Sequence, residues 1–312
     1  LKPKNIIENE NRYAEKYKDI NFKNFILKSL QDNIENVLSD QTIFSRKLRL
    51  TNNYTKAMIV KKYINSFLSD NDLRYLNSKD VFFYGKNNLV YRLKSLYSMK
   101  ELFDFKIENY NKLMKNYKNL DFYFYYVEKD TDINFRNNKK NGVYEYIKEK
   151  MESKNFSRLK IDNFEQYKEY FYETDHHWNY KGSYQAYKDV LDLLKIKDEP
   201  IVGDEKCLDI YWSGSKAKKS IYDKVLSESF CAYKFNFDNM KILVNGVERE
   251  DYGNQDAYFN KSNLNDVSYG SFYGDDGGEI IFDTGNSKKE NILIIGESYD
   301  NAILKLIASH YN

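Results

Sequence analysis

Apolar residues recur along the first quarter of the chain with the spacing of amphipathic helices. In residues 24–37 the apolar positions follow a period close to 3.6 residues: Phe25, Ile26, Leu30, Ile34 and Val37. A polar break at residues 40–42 precedes residues 45–67, where the same period resumes. The pattern predicts an N-terminal helical arm over residues 1–77, whose charged side chains form a solvated face.

Residues 78–312 mix strand-like and helix-like patterns and predict one α/β domain. Residues 80–93 contain two short β-type runs around a Gly-Lys-Asn-Asn turn, which is typical of a hairpin. Residues 99–120 are amphipathic and lead into residues 122–127 (FYFYYV), where every position is apolar or aromatic. Such a run favours a strand buried on both faces of a parallel sheet. Residues 291–295 (NILII) predict a second strand of that sheet. Asn179 is predicted to be the N-cap of a helix that has Tyr187 and Leu191 on its apolar face.

The polar segments of the second half predict loops between short strands. Residues 211–221 (YWSGSKAKKSI) indicate a surface loop, and residues 252–287, rich in Gly, Asn and Asp, indicate loop and hairpin. Between these segments, residues 230–237 and 241–247 have β-type composition.

Composition restricts the function classes. The chain of 312 residues is 41% hydrophobic and 31% charged, which indicates a globular protein with a large core. Its 49 Lys and Arg against 47 Asp and Glu leave a net charge of +2, so there is no electrostatic case for nucleic-acid binding. No apolar run approaches the roughly 20 residues that span a bilayer. Because the chain starts at Leu1 without an initiator Met, we expect that a targeting segment preceded it and was removed.

Cys207 and Cys231 are the only cysteines of the chain. Neither belongs to a CxxC or other metal-binding spacing, so two unpaired thiols are favoured over a disulfide. The cysteines alone do not decide between an oxidising and a reducing compartment for the protein.

The candidate chemistry lies in two separated stretches. Asp175 stands two residues before His177, and a carboxylate in that position can fix the tautomer and orientation of an imidazole that acts as general base. Ser298 follows the apolar run and Gly296 and precedes a helix-like run, where a helix N-terminus would stabilise an oxyanion. The backbone N–H of Ser298 is the one oxyanion donor that can be named. We predict an acyl-transfer triad of Ser298 as nucleophile, His177 as base and Asp175 as its orienting carboxylate.

Plainer interpretations stand beside the triad. His176 and His177 could serve packing or a helix-cap network, as lone histidines often do. A zinc site of Asp175, His176 and His177 is disfavoured because adjacent histidines in a short loop rarely converge on one ion, so neither metal nor cofactor is predicted.

Three polar residues are candidate contacts to a substrate, although solvated loop positions are the plainer interpretation: Lys129, Ser213 and Lys216. Lys129 follows residues 122–127 at the strand end where open α/β sheets collect ligands.

Residues 174–178 (TDHHW), followed by Gly182 and Ser183, resemble the signature of the DHHW proteins. Those proteins are similar to the SGNH-hydrolase-like proteins that O-acetylate alginate and other exopolysaccharides. Residues 35–46 resemble a family segment near the N-terminus, and residues 81–91 resemble its hairpin. Residues 293–302 resemble its serine block, with Glu297 where Asp is usual. The resemblance spans nearly the whole chain, and TDHHW is its most specific motif. A G-x-S-x-G elbow is absent, which disfavours an α/β-hydrolase.

The resemblance implies an SGNH-hydrolase-like three-layer fold with a mostly parallel central sheet, in which the Asp-x-His stretch precedes the serine and another strand and helix follow Asn312. It implies an extracytoplasmic O-acetyltransferase, at the cell surface or anchored to the membrane through a segment before Leu1, that acts on a cell-surface or secreted polysaccharide. The implied partners are a membrane-bound O-acyltransferase that delivers the acetyl groups and other exopolysaccharide assembly proteins. The alternatives are a carbohydrate acetyl-esterase of the same fold and an inactive polysaccharide-binding or assembly protein.

Overall fold

The computed structural model describes residues 6–7, 12–17, 29–41, 43–67, 73–75, 81–85, 87–220, 222, 226–237, 240–261 and 267–312. Across these ranges, no helix combines the length and the apolar character that crossing a bilayer would require.

The helices in this part of the chain are α1 (Ser29–Gln41), α2 (Ile43–Phe67), α3 (Leu96–Asn116), α4 (Val143–Lys150), α5 (Phe164–Tyr170), α6 (Tyr180–Leu194), α7 (Ser215–Lys219), α8 (Asp256–Phe259), α9 (Tyr269–Tyr273) and α10 (Leu304–Ala308). The side chain of Asn179 accepts hydrogen bonds from the backbone N–H groups of Lys181 and Gly182 at the start of α6, which confirms the predicted N-cap.

The strands are short and form small sheets. They are β1 (Ile6–Ile7), β2 (Arg12–Tyr13), β3 (Leu73–Tyr75), β4 (Val81–Tyr84), β5 (Asn88–Tyr91), β6 (Tyr123–Val127), β7 (Ile133–Asn134), β8 (Lys139–Lys140), β9 (Asn155–Leu159), β10 (Asp204–Trp212), β11 (Glu228–Lys234), β12 (Lys241–Val244), β13 (Val247–Glu248) and β14 (Ile280–Asp283). The sheets are β1–β2, β3–β4–β5, β6–β9, β7–β8, β10–β11 and β13–β12–β14.

The chain divides into two compact units. The first comprises residues 1–89 and 213–227, and the second comprises residues 90–212 and 228–312. In the first unit α1 and α2 confirm the helices predicted for the N-terminal arm, while residues 24–28 of the first predicted helix lie outside the described residues. The arm is not wholly helical, because β1, β2 and β3 fall within it. The domain boundary at residue 77 stays a prediction.

The core of the second unit contains a parallel strand pair under a helix. β6 and β9 pair in parallel from Tyr123 opposite Asn155 to Val127 opposite Leu159. Helix α6 packs against both strands, and the hydroxyl of Tyr125 donates a hydrogen bond to Asp189 of that helix at 2.8 Å. The residues of β6 are half-buried rather than fully buried. The mixed α/β class is therefore confirmed, and in the described residues parallel pairing is seen between β6 and β9.

Residues 291–295 do not form the predicted strand. They pair with no described strand, and Leu293 and Ile295 are 85% and 66% exposed. The prediction that this run neighbours residues 122–127 in one parallel sheet is wrong for this structure. Apolar composition makes a strand favourable only where a second backbone supplies hydrogen-bond partners, and no described segment does so here.

The two cysteines form a disulfide, so the prediction of unpaired thiols is wrong. Cys207 of β10 and Cys231 of β11 stand directly opposite each other in the antiparallel ladder, with their Cα atoms 3.9 Å apart. The antiparallel register brings them together although they are 24 residues apart in sequence. The sequence spacing alone does not reveal that register.

The predicted surface loop at residues 211–221 is also wrong over most of its length. Trp212, Lys216 and Ser220 are buried, and α7 occupies the middle of the segment. The buried hydroxyl of Ser220 is satisfied locally, since it donates to the carbonyl oxygen of Lys216 at 2.6 Å. A polar segment can be buried when its own short helix supplies the hydrogen bonds.

Candidate active site

A closed loop over residues 171–178 presents the two histidines; we call it the histidine loop. Phe171 and Trp178 form an isolated antiparallel bridge, and the backbone N–H of Tyr172 donates to the carbonyl oxygen of His177 at 3.3 Å. Immediately outside this closure, the N–H of Asn179 donates to the carbonyl oxygen of Tyr170 at 2.8 Å. The loop is thus closed at its base by backbone hydrogen bonds.

Gly182 lets helix α6 start close against the base of the histidine loop. A Cβ atom at this position would lie 2.2 Å from the carbonyl oxygen of Tyr170 and 2.9 Å from Cβ of Trp178. Because backbone at that distance cannot give way cheaply, a larger residue would push α6 off the loop.

The structure brings the three side chains of the predicted triad into one hydrogen-bonded chain. Oδ1 of Asp175 lies 2.6 Å from Nδ1 of His177, and Nε2 of His177 lies 2.8 Å from Oγ of Ser298. A carboxylate only accepts hydrogen bonds, so Nδ1 carries the proton and Nε2 accepts from the serine hydroxyl. Asp175 and His177 are buried, at 3% and 6% exposure, while Ser298 is half-buried. The chain therefore opens to solvent at its serine end.

The same oxygen of Asp175 also fixes the backbone of the loop. Oδ1 accepts the backbone N–H of His177 at 2.9 Å, which is the local turn that aspartate commonly makes two residues ahead. One carboxylate oxygen therefore sets both the ring orientation of His177 and the position of its main chain.

His176 occupies a different environment from His177. Its Nδ1 lies 3.4 Å from Oδ1 of Asp175, and its side chain is half-exposed. Its carbonyl oxygen accepts a hydrogen bond from the hydroxyl of Tyr299 at 2.5 Å. Asp175 is closer to His177 than to His176, which agrees with the choice of His177 as the predicted base.

Tyr269 supports the face of the His177 ring. The two rings are stacked with their centroids 3.8 Å apart and their planes 1° from parallel. The Tyr269 hydroxyl accepts a hydrogen bond from the indole N–H of Trp178 at 2.8 Å, which holds the tyrosine in place. The hydrogen bonds at its two nitrogens and the stacking on Tyr269 together fix the imidazole ring of His177.

Ser298 lies on a tight turn rather than directly on an α-helix. A 3-10 turn over Asp300–Ala302 follows it, and α10 begins at Leu304 and is only five residues long. The predicted helix N-terminus at the serine is therefore replaced by a turn. Within the described part of the chain, the backbone N–H of Ser298 makes no hydrogen bond, so it remains available to a substrate oxygen.

The carboxyl group of Asp300 packs against Gly296 on this turn. A Cβ atom at Gly296 would lie 1.7 Å from Oδ2 of Asp300, so a larger residue there would displace that carboxyl group. Burial of Asp300, with the negative charges of Asp276 and Glu297 nearby, raises the pKa of its carboxyl group to about 7.

The three candidate substrate contacts are divided between the two units. Lys129 is half-buried, and its ammonium group lies 4.9 Å from the ring centroid of Tyr299, the residue after the serine. Lys216 and Ser213 belong to the first unit, whereas the triad belongs to the second. Lys216 has no solvent exposure, and the hydroxyl of Ser213 donates to the carbonyl oxygen of Leu226. The substrate contacts of Ser213 and Lys216 therefore stay predictions.

The buried carboxylates after β6 are occupied by protein groups. Glu128 accepts from Lys140 and Arg158, each at 2.7 Å. Asp130 accepts the backbone N–H of Tyr91 at 2.8 Å and the hydroxyl of Tyr167 at 3.1 Å. These acidic groups hold the end of the strand in place.

Asp175, His176 and His177 could also offer three ligand atoms to a metal ion, since those atoms lie within 4.8 Å of one another. Both ring nitrogens of His177, however, already contact Asp175 and Ser298. A metal on His177 would have to replace one of these contacts, so the geometry favours the hydrogen-bonded triad.

Comparison with solved structures finds the same architecture elsewhere. PatB1 from Bacillus cereus, solved with a sulfonyl adduct, is 17% identical to this chain; the match covers 77% of this chain and 84% of PatB1, with a TM-score of 0.54. The chain shares the fold of PatB1. A DHHW family protein from Eubacterium siraeum is 14% identical, with a TM-score of 0.49 over 77% of this chain and 82% of that protein. No protein-family model and no curated protein sequence matches.

The sequence did not identify two tyrosines that contact the histidine loop, Tyr299 and Tyr269. Tyr299 directly follows the serine, and that adjacency was the available signal. Tyr269 lies in a segment that the sequence predicts as loop, but Ser268 and Ser271 form a capping box at the start of α9. Because α9 is short and lies between glycine-rich stretches, its capping box was not recognised in the sequence.

Proposed function

We propose that this protein is a serine-dependent O-acetyltransferase of the DHHW type that acts on a cell-surface or secreted polysaccharide. The observation that carries the proposal is the chain from Asp175 through His177 to Ser298, with contacts of 2.6 and 2.8 Å. Nucleophile, base and orienting carboxylate in hydrogen-bond contact form the arrangement on which serine acyl transfer depends.

In the first half-reaction Ser298 takes up the acetyl group. Nε2 of His177 removes the hydroxyl proton as Oγ forms a bond to the carbonyl carbon of the donor. The free backbone N–H of Ser298 is placed to donate to the developing oxyanion. When the bond to the leaving group breaks, His177 returns the proton to that group, which leaves an acetyl ester on Ser298.

In the second half-reaction a sugar hydroxyl attacks the ester. His177 removes the proton of that hydroxyl, the bond from the acetyl carbon to Oγ breaks, and the proton passes back to Oγ. The product is an O-acetylated sugar and free Ser298. Water in place of the sugar gives acetate, and Ser298 is half-buried rather than enclosed. The competing activity of this site is therefore that of a carbohydrate acetyl-esterase.

Several observations support the proposal beyond the triad. The motif of residues 174–178 (TDHHW) lies on the loop that carries the base. The fold is shared with PatB1, which was solved with a sulfonyl adduct, and sulfonyl reagents react with nucleophilic side chains. The contact of Ser298 with His177 also argues against an inactive binding protein, in which this pair would have no reason to be aligned.

The disulfide supports an extracytoplasmic location. Disulfides such as Cys207–Cys231 persist in oxidising compartments and are rare in the reducing cytosol. In this setting we propose that a membrane-bound O-acyltransferase supplies the acetyl group and that Lys129, beside Tyr299, contacts the acceptor.

Intact mass spectrometry tests the nucleophile. The protein is incubated with an activated acetyl ester and, separately, with an aryl sulfonyl fluoride, and the labelled peptide is mapped. We expect one acetyl or sulfonyl group on Ser298, none in Ser298→Ala, and normal labelling in the exposed-serine control Ser287→Ala. Undiminished labelling of Ser298→Ala would place the reactive group elsewhere.

A further inference from the structure

The carboxylate of Glu228 holds the backbone at the start of the histidine loop. Its Oε2 accepts the backbone N–H of Glu173 at 2.8 Å. Its Oε1 accepts both the backbone N–H of Thr174, at 2.7 Å, and the hydroxyl of that threonine, at 2.6 Å. Three donors from two consecutive residues therefore converge on one side chain, and the next residue is Asp175.

These contacts fix the side of the loop that the catalytic hydrogen bonds leave open. The base is closed by the N–H of Tyr172, and the tip is held by the hydroxyl of Tyr299 on the carbonyl oxygen of His176. Glu228 accepts the N–H groups of residues 173 and 174. Without them the main chain leading into Asp175 would lose two anchors at once.

The strand that carries Glu228 is itself anchored. Glu228 begins β11 opposite Trp212 of β10, and the Cys207–Cys231 disulfide joins the same two strands three residues further along β11. Trp212 is buried and its indole N–H donates to the carbonyl oxygen of Val267 at 2.7 Å. The carboxylate therefore projects onto the loop from a strand that is held by a disulfide and by ladder pairing.

The environment of Glu228 shows that this arrangement has a cost. Burial raises the pKa of its carboxyl group to about 7, even though the hydrogen bonds from Thr174 and Glu173 act in the opposite direction. The loop donors therefore hold a carboxyl group in a place where burial disfavours its charged form.

We propose that Glu228 is a positioning residue, which acts through the backbone of residues 173 and 174 to hold Asp175, and through it His177, in line with Ser298. This inference rests on the proposed function, because the chemistry it serves is acylation of Ser298. Glu228 does not itself touch substrate or reacting atoms.

Glu228→Gln tests the proposal with a minimal change of shape. An amide has one accepting oxygen, so either the N–H of Glu173 or the N–H of Thr174 faces an NH2 group. We expect the first-order rate constant of acylation by an activated acetyl ester to fall about 10- to 100-fold, as for supporting groups whose loss misplaces a reacting side chain by a fraction of an ångström. The ester concentration for half-maximal rate should stay nearly constant. Glu228→Asp, which keeps the charge, should recover part of the rate.

The rate constant separates positioning from stability, because partial unfolding lowers the amplitude of acylation but leaves the rate constant of the folded molecules unchanged. Glu248→Gln, the same change at an exposed strand position, is the control and should behave as the unsubstituted protein. A rate constant for Glu228→Gln equal to that of this control, with only the amplitude or the unfolding midpoint changed, would overturn the proposal.

A proton NMR measurement keeps this inference distinct from the proposed function. The proton on Nδ1 of His177, in its 2.6 Å contact with Asp175, should give a low-field resonance. We expect that resonance to shift or broaden in Glu228→Gln and to remain in Glu248→Gln. If the unsubstituted protein is never acylated, the proposed function fails, while an unchanged resonance in Glu228→Gln contradicts the positioning role on its own.

Discussion

Replacing Asp175 with Asn tests whether this carboxylate orients His177 and stabilises its positive charge during acylation. The carboxylate accepts from both the ring and the backbone of His177 through one oxygen. An amide of the same shape keeps an oxygen for one of these contacts but removes the negative charge. It also offers an NH2 group that favours the wrong imidazole tautomer, in which Nε2 carries the proton and cannot accept from Ser298.

The magnitude follows from the 2.6 Å contact of two buried groups. When His177 takes the serine proton it becomes a cation beside Asp175, and opposite unit charges at that distance attract by about 6 kcal/mol at an effective dielectric constant of 20. The retained hydrogen bond offsets part of this loss. We therefore expect acylation to slow by about 10³- to 10⁴-fold, or about 4–5 kcal/mol, a size that matches the chymotrypsin precedent for the same substitution.

Stopped-flow measurement of acylation by a chromogenic acetyl ester gives the rate constant directly. Asp209→Asn, on the exposed side of β10, is the matched control and should leave the rate unchanged. The unfolding midpoint of Asp175→Asn should be recorded in parallel, so that only folded protein is compared. A decrease of less than about tenfold would refute the role of Asp175 as the orienting carboxylate.

Four further predictions concern single side chains. Ser298→Ala should form no acetyl-enzyme, and undiminished ester turnover in this variant would place the nucleophile elsewhere. His176→Ala should slow acylation less than about tenfold, because its contact to the triad is long and half-exposed; a loss as large as that of the triad would reverse the roles of the histidines. Burial raises the pKa of the Asp300 carboxyl group to about 7, so the group makes the native state less stable as the pH rises toward 7. Asp300→Asn should therefore raise the urea midpoint more at about pH 8 than at about pH 5. An equal gain at both pH values would contradict this. Reducing the Cys207–Cys231 disulfide, which closes a 24-residue separation, should cost about 3 kcal/mol of unfolding free energy, and a midpoint that is insensitive to reductant would show that the bond does not form.

Short-range chemistry made the site predictable from the sequence. The Asp-x-His spacing places Asp175 where its side chain can reach both the backbone and the ring of His177, since two residues is the reach of a local turn. The Asn179 cap follows from the same kind of local rule and is confirmed. The contact to Ser298, 121 residues away, required the family resemblance as well as the pattern of an apolar run before a serine.

Long-range pairing explains what the sequence did not predict. The disulfide depends on the register of β10 and β11, and the strand expected at residues 291–295 depends on a partner that no described segment supplies. Glu228 is 54 residues from Thr174, and nothing local distinguishes it from the other acidic residues of the chain. Tertiary contacts of this kind add information that hydrophobic periodicity does not contain.

The fate of the acetyl-enzyme tests the central claim most directly. The protein is acetylated on Ser298 with an activated ester, freed of reagent, and followed by intact mass spectrometry with and without an oligosaccharide acceptor. The account predicts that the acceptor speeds loss of the acetyl group and that the group appears as an ester on the sugar. Loss at one rate with or without acceptor, with acetate as the only product, would contradict acetyl transfer and make the protein an esterase.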